Sequence, residues 1–168
     1  MSARCCVEYR GRAFWGYEQS VAILLYLAAE RAESAEFVGD FTPQMIEQWR
    51  FVSFLGSNIG VQLDGVCADE HRRLRFIELL SSCGDELQRM KEVRGEQVLE
   101  WRALGERVIW RESPGSVVST MPIAMLAEAM TKLVRGDLPH PPPETWWSIG
   151  WHIGEFGTIG MWPSDLTG

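Results

Sequence analysis

The sequence predicts a mainly α fold: a single-domain bundle of about five helices, closed by an aromatic, glycine-rich C-terminal segment. Three observations carry this. Five segments place apolar residues at helical spacing, the links between them are short and punctuated by Pro and Gly, and 168 residues suit one domain. The expected division is a helical core over about 18–136, a proline-rich connector over 138–144 and the aromatic segment over 145–163. At least four helices are expected to exceed ten residues.

The first helix opens at Glu18 in EQSVAILLYLAAERAESAE. Val21 to Ala29 are nine consecutive apolar residues, so every face is apolar and the helix must be enclosed. Its length favours helix over strand. The second opens at Thr42-Pro43, an N-cap followed by proline at the first helical position. Met45, Ile46, Trp49, Val52 and Leu55 then follow at helical spacing, with Gly56 or Gly60 ending it.

Asp69 caps the third helix, expected to reach about Val93. Phe76, Ile77, Leu80, Cys83, Leu87 and Met90 make its buried stripe, and Gly84 lies inside it at a cost of about 1 kcal/mol against alanine. After a break at Gly95, Val98, Trp101, Leu104 and Val108 give a fourth helical pattern, with Trp110 near its end and Ser113-Pro114-Gly115 as a turn. The fifth helix starts near Thr120 with Pro122 in its first turn. Ile123, Leu126, Ala127, Met130, Leu133 and Val134 form its inner face, Glu128 and Lys132 an exposed pair, and Gly136 the C-cap. LPHPPPE, from Leu138 to Glu144, reads as an extended connector.

Two places admit strands instead. CVEYRGRAFW (Cys6 to Trp15) alternates weakly around Arg10-Gly11, and the tail can turn near Gly154 to Gly157. Pairing of the two ends would give the alternative fold class, α+β with a small terminal β-sheet.

Composition limits function. The 46% hydrophobic and 23% charged content is that of a soluble globule. The longest uncharged stretch, Ser113 to Ala127, holds two prolines and falls short of the about 20 apolar residues a membrane span needs. MSARCCVEYRGR sets charges where a signal peptide has its apolar centre, which places the chain in the cytoplasm. A net charge of −7 opposes nucleic-acid binding. The charge is uneven: nine of sixteen basic residues lie between Arg72 and Arg111, and none follows Arg135, while Asp137, Glu144, Glu155 and Asp165 remain.

Catalytic patterns are sparse. His71 in ADEHRRLR belongs to a solvated first helical turn, and His140 sits idle in the proline run. His152 and Glu155, three apart among tryptophans, have the makings of an acid–base pair, but no nucleophile accompanies them. GSNIG at 56–60 lacks the Lys-Ser/Thr ending of a phosphate loop. Cys67 and His71 lack further ligands for zinc, and Cys83 reads as a small buried hydrophobe. Arg72, Arg73 and Arg75 in HRRLR are a candidate phosphate site, but on a helix they point apart among Asp69, Glu78, Asp85 and Glu86, which favours a solvated face. No catalytic residue, cofactor or metal is expected.

The segment WWSIGWHIGEFGTIGMW concentrates four tryptophans and four glycines between Trp146 and Trp162. Protein interfaces favour such aromatics at their centres. The expected partner-binding residues are Glu144, Trp146, Trp147, Trp151, His152, Glu155, Trp162 and Asp165, and the expected partner is a protein with a basic surface. The tail can also serve as a contact between copies of the chain. Small, acidic, motif-poor chains include the immunity proteins that neutralise bacterial toxins, an analogy of type. The alternative is a small enzyme or ligand-binding protein with a pocket near the aromatic segment, lined by His152, Glu155 and Asp64 or His71.

Overall fold

The computed structural model describes residues 4–55, 60–108, 110, 113–138 and a two-residue strand at 152–153. The chain is mixed α+β, which corrects the helical bundle expected above. Arg4–Tyr9 (β1) and Arg12–Tyr17 (β2) form an antiparallel hairpin with Tyr9 opposite Arg12. The two turn residues, Arg10 and Gly11, have φ of 49° and 72°, the left-handed pair that matches the twist of a two-residue hairpin. Alternation then sorts the side chains: Cys5, Val7, Tyr9 and Phe14 are buried, while Cys6, Glu8 and Trp15 are half-exposed. Charged residues on the outer face diluted the apolar signal, so this sheet read as the weaker option.

Val61–Gln62 (β3) adds parallel to β1, and His152–Ile153 (β8, the last strand) adds parallel to β2, giving the order β3-β1-β2-β8. The two ends therefore meet in a sheet. The tail turn at Gly154 to Gly157 lies outside the described residues.

Glu18–Ala32 (α1) leaves β2 without a break. Ile23, Leu24, Leu25, Ala28 and Ala29 have no exposed surface, because α1 packs on the sheet as well as on helices. Pro43–Leu55 (α2) lies against α1, and Thr42 Oγ1 accepts the Met45 N–H at 3.3 Å as a cap. Glu70–Met90 (α3) begins where Asp69 accepts the Arg72 N–H at 2.8 Å. It buries Phe76, Ile77, Leu79, Leu80, Cys83 and Leu87. It stops short of Val93 because Lys91 turns left-handed, at φ 62°. Met121–Arg135 (α5) packs on α3, α1 and the sheet, and Gly136, at φ 83°, ends it. Its pair Lys132–Glu128 spans 3.0 Å.

The fourth helical pattern is also corrected. Glu92–Arg94 (β4) pairs with Val117–Ser119 (β7), and only Gly95–Glu100 is helical (α4). Arg102–Ala103 (β5) and Glu106–Arg107 (β6) then form a hairpin around Leu104 and Gly105, at φ 54° and 83°. Val98, Trp101, Leu104 and Val108 fit a helical period, but Gly105 supplies the left-handed turn that ends it. These strands close a smaller core of Val93, Val98, Ala103, Val108 and Val118 under Tyr26, whose ring stacks on Trp101 at 4.6 Å.

Candidate functional site

Two clefts meet at Arg135. The first is a groove of about 300 Å³ between α3 and α5. Its floor comes from the upper edge of both buried stripes, Ile77 and Leu80 on α3 and Ala124 and Ala127 on α5. Small residues keep it open: the Cβ that Gly84 lacks would meet nothing within 4 Å. Met121, 55% exposed, and Met125 stand on one side, and Asp85 and Glu128 set acidic groups on the rim.

The second cleft, of about 360 Å³, lies where the β1–β2 turn meets the C-terminal end of α5 and the N-terminal end of α3. Tyr9, Leu133 and Val134 are its buried residues, and Arg10, Arg12, Arg73, Arg135 and Glu70 its charged ones. Arg12 reaches over to donate to the carbonyl of Gly136 at 3.1 Å and to that of Leu138. Arg73 donates to both carboxylate oxygens of Glu70, at 2.8 and 2.6 Å, and to the Val134 carbonyl at 3.4 Å. That bond to Arg73 holds the Glu70 carboxyl below its usual range. The Arg10 guanidinium lies 5.1 Å from the centre of the Tyr9 ring. The Tyr9 hydroxyl is buried and finds no hydrogen-bond partner among the described residues.

Three of the four cysteines are poorly placed to act as nucleophiles. Burial pushes the thiols of Cys5, Cys67 and Cys83 up to about 12, so all three stay protonated at neutral pH. Cys67 is buried while His71 is exposed, its Nε2 3.8 Å from Asp40. The three arginines of HRRLR do diverge. Arg72 faces Asp69 at 3.7 Å and Arg73 faces the cleft. Arg75 binds Asp40 at 2.8 Å and the Glu36 carbonyl at 2.7 Å, with its guanidinium 4.7 Å from the Phe37 ring centre.

Of the residues expected to meet a partner, Glu144, Trp146, Trp147, Trp151, Glu155, Trp162 and Asp165 lie outside the described residues, as does His140. His152 pairs with Trp15 through its strand. Both clefts escaped the sequence reading. Met121 and Met125 do carry a signal, a pair of large apolar residues one turn apart and off the inner face of α5. The four arginines carry none, being scattered from position 10 to position 135.

Fold and clefts together define a two-layer α+β scaffold with open grooves at the ends and edges of its helices. No family model, curated protein or solved structure matches the chain. Among the described residues, no helix is long and apolar enough to cross a membrane.

Proposed function

We propose that this chain is a non-catalytic binding protein of the cytoplasm whose target is another protein with a basic surface. Its mode of action is that of the immunity proteins that neutralise bacterial toxins. The observation that carries the reading is the α3–α5 groove, where the exposed Met121 and its neighbour Met125 adjoin the acids Asp85 and Glu128, in a lining that also holds Arg135 and with Glu128 paired to Lys132. Methionine adapts its shape to a partner, and carboxylates beside it select and steer a basic one. The net charge of −7, with no Lys or Arg after Arg135, favours the same sign of partner over the rest of the surface.

The test is to co-express the chain with the product of the gene immediately upstream, scoring growth of the host and titrating the purified pair by calorimetry. Growth is restored and a complex forms. Met121→Glu or Asp85→Lys then weakens that complex at least tenfold with little change in melting temperature, as hot-spot substitutions of about 2 kcal/mol do. A chain that neither rescues growth nor binds overturns the reading.

A further inference from the structure

The arginine-lined cleft is independent of that groove and calls for a different ligand. Among the described residues, four guanidiniums, those of Arg10, Arg12, Arg73 and Arg135, line it against one carboxylate, Glu70. Asp64 accepts the backbone N–H of Arg10 at 3.2 Å, and neither it nor Asp137, which follows Gly136, lines the cleft. Such an excess of positive charge is notable on a chain of net −7.

Two of the four are fixed by the fold. Arg12 is held by the carbonyls of Gly136 and Leu138, and Arg73 by Glu70 and Val134. Among the described residues, Arg10 and Arg135 form no ion pair within 4 Å, although the charge of Arg10, beside the Tyr9 ring, helps hold the Glu70 carboxyl low. Two guanidiniums held by the fold and two outside any ion pair, around an open volume, suit recognition of a multivalent oxyanion.

Tyr9 supplies the second, separate observation. It is 5% exposed and lines the cleft, and its hydroxyl has no partner among the described residues. A buried hydroxyl without an acceptor is destabilising, and an oxyanion seated beside Arg73 relieves it.

We propose that this cleft binds a small phosphate monoester. Four cations facing one carboxylate match a dianion better than a monocarboxylate, and three or more phosphate oxygens can occupy the guanidiniums and the Tyr9 hydroxyl together. The volume of about 360 Å³ sits at the small end of ligand sites, sugar-phosphate rather than dinucleotide in size. Leu133 and Val134 offer the organic part an apolar contact.

The experiment is calorimetry on the full chain at low salt with ribose 5-phosphate, inorganic phosphate and succinate, the last a dianion of planar carboxylates. Ribose 5-phosphate binds at a single site, at least tenfold tighter than succinate. Tyr9→Phe weakens it about tenfold, or 1.4 kcal/mol, and leaves the melting temperature of the unliganded chain equal or higher, because the variant loses an unpaired hydroxyl. Arg135→Gln, at an exposed position, weakens binding similarly and flattens its salt dependence. No saturable heat from either phosphate up to about 10 mM overturns the proposal. So does binding that both variants leave unchanged, and tighter binding of succinate overturns the assignment to phosphate.

Discussion

Replacing Gly16 by alanine tests how the helical layer seats on the sheet. Gly16 faces inward on β2, and its φ is ordinary for a strand, so a side chain there meets no backbone strain. It meets atoms. An added Cβ would stand 2.6 Å from Val21 Cγ2 and 3.2 Å from Leu126 Cδ1, whereas carbons pack at about 3.5–4.0 Å. Leu126 has a few tenths of an ångström to give. Val21 has about 1 Å to give, and as a β-branched residue in a helix, 1% exposed, it cannot rotate away. Overpacking of this size costs about 1–3 kcal/mol, against which alanine recovers about 0.5 kcal/mol of unfolded-chain entropy. Urea unfolding followed by tryptophan fluorescence should therefore show a net loss of about 1–2 kcal/mol, or roughly 4 °C in a thermal melt. Val21→Ala alone should cost about 1–3 kcal/mol by leaving a cavity. The two together should cost less than the sum of the singles, by about 1 kcal/mol or more, because each repairs the other's defect. A Gly16→Ala chain as stable as the parent, or a strictly additive pair, refutes the contact of β2 with α1 and α5 described here.

Other substitutions probe the core and its charge states. Leu80→Asp drives a charge into a site 1% exposed and should cost about 4 kcal/mol or more; a circular-dichroism melt that barely moves would show the α3 stripe misassigned. Thr120→Val removes the 2.5 Å bond from Thr120 Oγ1 to the Leu87 carbonyl, which ties the start of α5 to the end of α3. It should lower the urea midpoint by the equivalent of about 1 kcal/mol, and an unchanged midpoint counts against that tie. Burial holds Cys5, Cys67 and Cys83 protonated up to about 12, while their ordinary value is 9.0. Above pH 9 the unfolded chain releases these protons and the folded chain keeps them, so stability present below pH 9 is lost as pH rises toward 12. Each thiol contributes a slope of about 1.4 kcal/mol per pH unit in that window. Cys83→Ala should flatten the measured decline by about one thiol's share, and an unchanged slope would place Cys83 in contact with water.

How much of this was legible follows from which signals are local. Asp69 and Thr42 are caps, Gly136 is a stop, and the stripes of α3 and α5 repeat over several turns, so each announces itself within its own segment. The hairpin β1–β2 was weaker because Arg4 and Glu8 interrupt the apolar alternation on a face that stays half-exposed, and Arg12 interrupts it on the inner one. The strands β3, β4, β7 and β8 are two or three residues long, and pairing with a distant partner defines each of them. No periodicity exists in so few residues. Leu104-Gly105 was misread because the same four apolar positions satisfy a helix until the turn residue is given its due.

The arginine cleft was hidden for a different reason, one that bears on its purpose. Net charge averages over the surface, and a chain of −7 gives no hint of where its cations gather. The fold gathers them at one place, the end of α5, where unpaired carbonyls draw positive groups. That attraction explains Arg12, which satisfies Gly136 and Leu138, and Arg73, which reaches Val134. It also suits Arg135, in the last turn of α5, but not Arg10, nor the buried Tyr9 hydroxyl, which has no partner among the described residues. A turn needs only a left-handed backbone at position 10, and asparagine or glycine provides it with less strain than arginine. The structural requirement thus accounts for Arg12, Arg73 and Arg135 and leaves Arg10, with an unused donor, to whatever the cleft holds.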